Sequence, residues 1–382
     1  MSSADGSDVR VTLLCAPAPV GGLESAVAGL ARGLARSGAA VQLVQLLTPG
    51  APPPEAFATL ESDGVQVHAV HGGARAYLAE ARAVRAHLHA HGSHVLHSHG
   101  ERADLVSLLV GGRQPARMSS VHGFVVNTLR ARVAKEAHVR VLRRMDAVVA
   151  VSEPLVRELS DRIGKRALLL SNAIPDRELA DRAAARQRLG LPEDGPVIGW
   201  VGRLSNEKRP LHFLEALALA RLPEAHAVIV GDGPLLEQAR ARAEALGLAD
   251  RVTITGAVAE AGALFRAFDL FVISSSTEGT PMTVLEAMRA GVPVVSTAVG
   301  GVPAMLADEC GWLVPADSAA ALAESLHAAL RHPSERARRA ARARAAIAQR
   351  YSHAAWIAGH LAAYRALSAG VADRRPATTL PT

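Results

Sequence analysis

Short apolar runs alternate with helical patterns along most of this 382-residue chain, and this alternation is what most restricts its fold. A short run rich in valine, isoleucine and leucine is typical of a buried strand, and an amphipathic stretch between two such runs can supply the crossover helix of a parallel pair. Repetition of this unit predicts an α/β protein with parallel sheets. The expected strands are 11–15, 41–47, 65–70, 95–97, 118–121, 147–151, 168–171, 197–201, 227–230, 252–255, 270–273, 294–296 and 312–314.

The alternation pauses after Asn172 and then begins again, which indicates two domains of similar size. A polar, charged segment and the helix breaker Pro192–Pro196 occupy the pause. We therefore expect Rossmann-like, doubly wound domains at 1–175 and 176–351, facing each other so that ligands bind between them at the carboxyl ends of the strands. The tail 369–382, with its proline, threonine and arginine residues, is expected to be disordered.

The composition excludes disordered, collagen-like and coiled-coil proteins. Hydrophobic residues make up 49% of the chain and charged residues 20%, so each domain can bury a core without disulfides or metals. Cys15 and Cys310 are too few for a disulfide framework, which fits a reducing compartment. The polar start 1–8 does not resemble a signal peptide, and no apolar run approaches the roughly 18 residues of a membrane span. We expect a cytoplasmic protein that reaches the inner face of the cell membrane only peripherally.

Familiar nucleotide-binding motifs are absent from the chain. It has no G-x-x-x-x-G-K-S/T sequence, and Gly231–Pro234, which reads GDGP, lacks the third glycine of a dinucleotide fingerprint. No D-x-D pair is available to hold a metal ion against a diphosphate. Two α/β domains without these motifs narrow the choice of function considerably.

The segment Glu278–Glu286, which reads EGTPMTVLE, follows an expected strand and opens an expected helix. Backbone N–H groups in the turn Gly279–Thr283 have no partner within a helix, so they could bind an anion. Glu278 can accept hydrogen bonds from sugar hydroxyls, and Glu286 can accept from both hydroxyls of a ribose. The alternative is an ordinary helix start with acids that suit the helix dipole, and the residues alone do not decide between the two.

Two further loops carry residues that suit a phosphate ligand. In the loop after the strand 197–201, Arg203 offers a planar fork and Lys208 a point charge, the two ways in which proteins hold phosphate oxygens. Gly21 and Gly22, between the first expected strand and its helix, would let a ligand approach the backbone. A solvated basic loop and a plain tight turn are the respective alternatives.

Taken together, these segments resemble the retaining glycosyltransferases of family four, which have the GT-B fold. Glu278 and Glu286, with seven residues between them, match the family's E-x7-E signature, and Gly202–Lys208 is similar to its G-R-L-x-x-E-K sequence. The resemblance covers about 10–367 and implies that a C-terminal helix, 352–368, completes the first domain. Further matches lie at Gly21–Gly22, His97–Gly100, Val121–Gly123, Gly231–Pro234, Gly256 and Gly300–Pro303.

The resemblance implies that the second domain binds a nucleotide-diphosphate sugar and that Arg203 and Lys208 neutralise its diphosphate in place of a metal. Glu278 would contact the sugar hydroxyls, Glu286 the ribose, and His122 of the first domain would lie near the sugar. The implied catalytic residues are Glu278, His122, Arg203 and Lys208. The implied donor-binding residues are Gly21, Gly22, Arg203, Lys208, Gly256, Val258, Glu278, Gly279, Thr280, Pro281, Met282 and Glu286.

We therefore expect a metal-independent, retaining hexosyltransferase that needs no cofactor. It would move a sugar from a nucleotide-diphosphate donor, a UDP-sugar in preference to a GDP-sugar, to a hydroxyl of a cell-surface glycan or lipid-linked saccharide. The alternatives are an epimerase or hydrolase of the same fold and a non-catalytic protein that binds sugar nucleotides. The sequence departs from the family pattern at Ala304 and at Ser171–Pro175. These departures weaken the transfer of the family's residue roles to positions near the interdomain connection and the acceptor side.

Most of the positive charge lies in one segment. The formal net charge is +6, and Leu129–Met145 carries six basic residues against one acid, Glu136. A helix there, with Ala134, Ala137, Val141 and Met145 as its core stripe, would leave Leu129, Val133 and Val139 among the basic residues. Such a helix can rest on an anionic membrane surface, and a solvated charged face is the alternative. With only 3% aromatic residues, the chain offers no stacking platform for nucleic acid.

Six histidines crowd into the segment His87–His99. His87 and His91 would share a helix face, as metal ligands often do. The run passes through Gly92 into a strand, however, so the side chains should diverge, and we expect no metal site. His99, at the end of that strand, is expected to line the cleft.

Overall fold

The computed structural model contains two units, each with its own parallel sheet. The first consists of residues 23–171 and 353–372 together with 7–17, and the second consists of 172–352 together with Gly22. The division after 171 lies four residues before the expected boundary. Within the two units, the structure describes residues 7–17, 22–73, 76–112, 114–124, 128–174 and 178–372.

The first unit has a sheet of seven parallel strands in the order β3-β2-β1-β4-β5-β6-β7. Its central strands β1, β4 and β5 are almost wholly buried, as a sheet covered by helices on both faces requires. The strands are β1 (Arg10–Cys15), β2 (Ala40–Leu47), β3 (Gln66–His71), β4 (Val95–His99), β5 (Ala116–Val121), β6 (Ala147–Ala150) and β7 (Leu168–Leu169). The helices are α1 (Gly22–Arg36), α2 (Tyr77–His91), α3 (Glu101–Val110), α4 (Leu129–Leu142) and α5 (Glu153–Ile163).

The second unit has six parallel strands in the order β10-β9-β8-β11-β12-β13. Its strand order reverses between β8 and β11, and ligands bind doubly wound sheets at such a switch point. The strands are β8 (Val197–Val201), β9 (His226–Val230), β10 (Val252–Gly256), β11 (Leu270–Ile273), β12 (Val294–Thr297) and β13 (Trp312–Val314). The helices are α6 (Arg182–Arg188), α7 (Pro210–Ala220), α8 (Leu236–Ala245), α9 (Met282–Ala290), α10 (Val302–Met305), α11 (Ala319–Arg331) and α12 (Pro333–Arg350).

A last helix, α13 (His353–Ala372), packs on the first unit. The hydroxyl of Tyr364 lies 2.7 Å from His97 Nδ1, and both side chains are buried. The expectation of a disordered tail from residue 369 is wrong for 369–372, because this alanine-containing stretch continues the helix. Residues 373–382 lie outside the described part of the chain.

The basic segment 129–145 buries only part of its expected core stripe: Met145 is buried and Val141 half-buried, and Leu129 and Val133 are exposed as expected. Ala134 and Ala137 are exposed, whereas Val139 is 2% exposed and packs inward beside His138. The cause is a buried hydrogen bond, in which His138 Nε2 lies 2.6 Å from the carboxylate of Asp104 on α3. A fully buried carboxylate needs such a partner, so the pair decides which face of α4 turns inward.

The sequence pattern does not predict helix α6, because the side chain that packs into the core from this helix is an arginine and not an apolar residue. Arg186 is 1% exposed, and its guanidinium donates to four backbone carbonyls and to Asp269. Asp269 also accepts from the N–H of Val197 at 2.8 Å, so the network fixes the start of β8. The four carbonyl acceptors belong to Pro192, Glu193, Gly195 and Ala267.

Removal of this anchor should loosen the central sheet of the second unit. We expect Arg186→Ala to lower the free energy of local opening at β8 by about 3 kcal/mol, since it leaves a buried carboxylate and carbonyls without their donor. Hydrogen exchange of the β8 amides, followed by mass spectrometry, measures this change. Arg188→Ala removes an exposed arginine from the same helix and should cost less than about 1 kcal/mol. Equal effects of the two substitutions would contradict the described role of Arg186.

Candidate functional site

Three loops at the carboxyl ends of β8, β9 and β10 are joined by backbone hydrogen bonds. The N–H of Gly202 donates to Val230 O at 3.0 Å, and the N–H of Gly231 donates to Gly256 O at 2.8 Å. Only glycine fits at position 231, because its φ is +143° and a Cβ there would lie 1.9 Å from Gly202 O. The loop that carries Arg203 and Lys208 is therefore held in one conformation against its neighbours.

Lys208 and Glu278 form a direct ion pair at the switch point of the second sheet. Lys208 Nζ lies 2.7 Å from Oε1 and 2.8 Å from Oε2 of Glu278. The Glu278 side chain is 5% exposed and that of Lys208 is 30% exposed, so the pair lies at the boundary between protein and solvent. Lys208 follows β8 and Glu278 follows β11, two strands that are neighbours in the sheet.

Serine side chains fix both members of the pair. Ser275 Oγ donates to Glu278 Oε1 at 2.7 Å, which orients the carboxylate. Ser274 Oγ lies 3.0 Å from Lys208 O and accepts a hydrogen bond from Trp200 Nε1, also at 3.0 Å. The carboxylate of Glu278 is thus held by charge-assisted hydrogen bonds and keeps lone pairs that can accept from a hydroxyl.

The turn between Glu278 and α9 is held from both sides. The N–H of Gly301 donates to Gly279 O at 2.9 Å, and Asn172 Nδ2 donates to Thr280 O at 3.1 Å. Helix α9 begins at Met282 without a side-chain cap at its N-terminus, where Pro281 is the capping residue. Such an N-terminus presents backbone N–H groups and the positive end of the helix dipole to an anion.

Arg203 and Glu286 lie on the same two segments as the ion pair. Arg203 is exposed and makes no ion pair with any other residue that the structure describes. Glu286 is half-buried in the second turn of α9. Gly256 ends β10 with a φ of +75° and open space around its Cα, and Val258 follows it half-buried.

Of the predicted site residues, His122 lies in the first unit. His122 follows β5, and its Nε2 lies 3.3 Å from Nδ1 of His99 at the end of β4. Burial, reinforced by the nearby His360, lowers the pKa of His122 to about 4, so its ring is neutral at pH 7. Gly22 is the exposed first residue of α1, and Gly21 lies outside the described residues.

Sequence reasoning missed Ser275 and Asn172 as members of the site. Ser275 belongs to the serine-rich stretch before Glu278. The stretch indicates polar contacts, but the sequence does not show which serine makes them. Asn172 is 108 residues from Thr280 in the sequence, and no local pattern connects the two.

The histidine-rich segment does not bring metal ligands together. The ring of His87 stacks on His68 at 4.4 Å, whereas His97 bonds to Tyr364 and Ser120. Among the residues that the structure describes, no group of three or more histidine, cysteine, aspartate or glutamate side chains is arranged to hold a metal ion.

Comparison with known proteins identifies both halves of the chain. Residues 20–177 match the family described as Glycosyltransferase Family 4, and residues 181–346 match the family described as Glycosyl transferases group 1. The chain belongs to the family-four-like glycosyltransferases. The GT-B fold is shown by solved structures, and the predicted family is confirmed.

Two curated relatives illustrate the similarity in sequence. The D-inositol 3-phosphate glycosyltransferase of Segniliparus rotundus is 36% identical over 198 residues, which are 50% of this chain and 44% of the relative. The alpha-D-kanosaminyltransferase of Streptomyces kanamyceticus is 31% identical over 233 residues, 58% of this chain and 60% of the relative. The chain thus spans about half the length of the curated relatives that it matches.

Two solved structures illustrate the similarity in fold. Anabaena HepE in complex with UDP and glucose has a TM-score of 0.80 at 20% identity, covering 94% of this chain and 100% of that one. The sucrose-phosphate synthase of Thermosynechococcus elongatus has a TM-score of 0.77 at 22% identity, covering 95% of this chain and 100% of that one. In the part of this chain that the structure describes, no helix is both long and apolar enough to cross a membrane.

The packing of Gly300 against Glu278 offers a test of this site. A Cβ at Gly300 would lie 1.7 Å from Glu278 O, and the φ of Gly300 is +54°. Gly247 is a matched control, because its φ is +66° and a Cβ would meet nothing within 4 Å. Both alanine substitutions strain the backbone by roughly 1–2 kcal/mol, and only Gly300→Ala also displaces the turn.

We therefore expect the thermal midpoint of Gly300→Ala to fall by at least about 4 °C more than that of Gly247→Ala. Differential scanning calorimetry of the two variants measures this difference. The same midpoint in both would show that the turn at Glu278 does not depend on this contact.

Proposed function

We propose that this protein transfers a sugar from a nucleoside-diphosphate sugar to a hydroxyl acceptor with retention of anomeric configuration. The observation that carries the proposal is the Lys208–Glu278 pair beside the uncapped N-terminus of α9. It combines a cation for phosphate, a carboxylate for sugar hydroxyls and helix N–H groups for an anion. A UDP-sugar is favoured over a GDP-sugar, and the crystallisation of HepE with UDP and glucose supports this choice.

In the proposed complex, positive side chains take the role that a metal ion has in other transferases, so no cofactor is required. The Lys208 ammonium has three donors and is partly exposed, so it can contact a phosphate oxygen without leaving Glu278. Arg203 is free to swing onto the diphosphate, because no described carboxylate holds it. The backbone of Gly279–Met282 would contact phosphate and sugar, and Glu286 the ribose.

The proposed reaction breaks the bond between the anomeric carbon and the phosphate oxygen. The acceptor hydroxyl attacks the same face of the sugar, and its proton passes to an oxygen of the departing diphosphate. Negative charge grows on that diphosphate as the bond breaks, so Arg203 and Lys208 bind it most strongly in the transition state. The products are a glycoside of unchanged anomeric configuration and a nucleoside diphosphate.

Arg203 allows a test that leaves the fold intact. We expect Arg203→Met to lower kcat/KM for the nucleotide sugar by about 100-fold, because an exposed cation that contacts the diphosphate is lost. Arg221→Met is the control, since Arg221 is also exposed in the second unit and makes no ion pair with a described residue. Its kcat/KM should stay within about twofold of the wild-type value.

The donor itself can be found by a thermal-shift screen of UDP- and GDP-sugars. A nucleotide sugar at about 100 times its Kd should add roughly 2.7 kcal/mol of stability. An epimer or free sugar formed without acceptor would favour the epimerase or hydrolase alternative. Binding without any turnover would favour the non-catalytic one, and loss of activity in EDTA would contradict metal independence.

The acceptor is proposed to be a cell-surface glycan or lipid-linked saccharide, reached from the cytoplasmic face of the membrane. The support comes from the outer face of α4, which consists of Leu129, Val133, Arg140 and their neighbours. Leu129 is 76% exposed and Val133 is 64% exposed, and their spacing of four residues places them on one side of the helix. Arg140 lies on the same side, two turns further along.

The charges around this face are largely uncompensated. Lys135 pairs with Glu158, and Glu136, the acid of the segment, pairs with Arg162. The remaining arginines are exposed, and none of them forms an ion pair with a described residue. They are Arg130, Arg132, Arg140, Arg143 and Arg144. Each basic side chain near an anionic leaflet contributes about 1 kcal/mol of binding, and the two apolar side chains can enter the interface.

We expect the protein to float with vesicles that contain phosphatidylglycerol and not with vesicles of phosphatidylcholine alone. Reversal of charge at Arg140, Arg143 and Arg144 to glutamate should abolish flotation, because repulsion replaces attraction. The same reversal at Arg221, Arg331 and Arg344, which are exposed in the second unit, changes the net charge equally and should preserve flotation. Equal loss in both triple variants, or no flotation of the wild type, would contradict the proposed surface.

A further inference from the structure

Two histidines lie side by side at the carboxyl ends of β4 and β5. His99 is 2% exposed, and its Nδ1 lies 3.3 Å from Nε2 of His122. The other ring nitrogen of His99, Nε2, is buried without a hydrogen-bond partner among the described residues. His122 is half-buried, and its Nδ1 makes no hydrogen bond with any residue that the structure describes.

Each of these rings carries one proton at neutral pH. Burial lowers the pKa of His99 well below its usual value and that of His122 to about 4; the nearby His122 adds to the lowering for His99, and the nearby His360 adds to it for both. A neutral imidazole has one N–H donor and one acceptor nitrogen. The contact between the two rings therefore has a single proton, which belongs either to His99 Nδ1 or to His122 Nε2.

The burial of His99 Nε2 distinguishes these two arrangements. If His122 donates, His99 must carry its proton on Nε2, which leaves a buried N–H without an acceptor. If His99 donates from Nδ1, the buried Nε2 is only an unused acceptor. Orphaned buried N–H groups are rarer in proteins than under-used acceptors, so the second arrangement is favoured.

We infer that His99 is a positioning residue that holds His122 as the tautomer protonated on Nδ1. The Nε2 of His122 is then occupied by His99, and its Nδ1–H remains as a donor for an oxygen atom of the substrate. This inference rests on the proposed function together with the place near the sugar that the family resemblance implies for His122. A neutral donor suits a sugar hydroxyl, since it fixes the hydroxyl without adding charge where the diphosphate departs.

The groups packed around the pair keep it neutral. The ring centroids of His97 and His99 lie 4.2 Å apart. Both ring nitrogens of His97 are held by hydrogen bonds, Nδ1 with Tyr364 and Nε2 with Ser120. His360 on α13 donates from Nδ1 to Trp356 O at 2.9 Å. Burial lowers the pKa of His97 and His360 and raises that of Tyr364, so these titratable neighbours are uncharged at pH 7 as well.

The tautomer can be read directly by nuclear magnetic resonance. In protein with 15N-labelled histidine, we expect His122 of the full-length chain to show a protonated Nδ1 and an unprotonated Nε2. The assignment comes from the spectrum of His122→Gln, in which its signals are missing. A His122 protonated on Nε2 in the wild-type protein would overturn the inference.

Two amide substitutions at His99 separate positioning from mere packing. The amide of Asn can occupy the place of Nδ1 and donate to His122, whereas the amide of Gln reaches the place of Nε2 and does not. We expect His99→Asn to retain the tautomer and to lose at most about threefold in kcat. His99→Gln should lose the tautomer and at least about tenfold in kcat, with KM for the nucleotide sugar unchanged.

Equal kcat values in the two variants, with equal thermal midpoints, would show that His99 acts only through packing and would overturn the inference. A wild-type rate in His122→Gln would instead contradict the proposed contact of His122 with the sugar. The spectrum of His122 does not depend on turnover, so failure of the proposed function and failure of the tautomer assignment are distinguishable.

Discussion

The contact between Lys208 and Glu278 depends on the order of strands in the second sheet. Seventy residues separate the two side chains in the sequence. They meet because β8 and β11 are parallel neighbours whose carboxyl ends lie at the same edge. The strand order reverses at this point, so the crossover helices diverge and leave room above the sheet. Both the charge pair and the start of α9 occupy that room.

Glycine packing gives the same edge its rigidity. Gly231 and Gly300 each bring a loop so close to a neighbouring carbonyl that no Cβ fits. Their carbonyl partners belong to Gly202 and Glu278, the first residues of the two candidate segments. Charged side chains that bind an anion well must be held in place before the anion arrives, since reorganisation reduces the gain. The backbone supplies that fixed geometry here, while the exposed Arg203 remains free to move.

The sequence predicts features that depend on local pattern. Every expected strand is present, because runs such as Val197–Val201 and Leu270–Ile273 are apolar enough to mark a buried parallel sheet. Both segments of the candidate site, Gly202–Lys208 and Glu278–Glu286, also stand out in the sequence through their residue types. Features that depend on distant partners were not predictable, as α6 and α4 show. Arg186 anchors α6 through carbonyls and Asp269, and His138 turns α4 toward Asp104.

The candidate site shows the same division between local and distant information. The residue types around Glu278 predicted a place for phosphate and sugar, but not that Ser275 and Lys208 share its carboxylate. The hydrogen bond between His99 and His122 joins residues that were noted separately, and strand neighbourhood alone brings them together. Polar groups that pair over a long distance in the sequence leave no periodic pattern, so such pairs cannot be predicted from the sequence.

The position of α13 in the chain has a consequence for synthesis. The first unit consists mainly of residues 23–171 but also needs 353–372, whereas all of the second unit is made before α13. Until α13 emerges from the ribosome, Gly33 on α1 lacks its neighbour Ile357, and His97 lacks the hydroxyl of Tyr364. Domains generally fold as units during translation, so the second unit can fold first although it is encoded later. The contacts of His97 with His360 and Tyr364 therefore form only after residues 353–372 have been made.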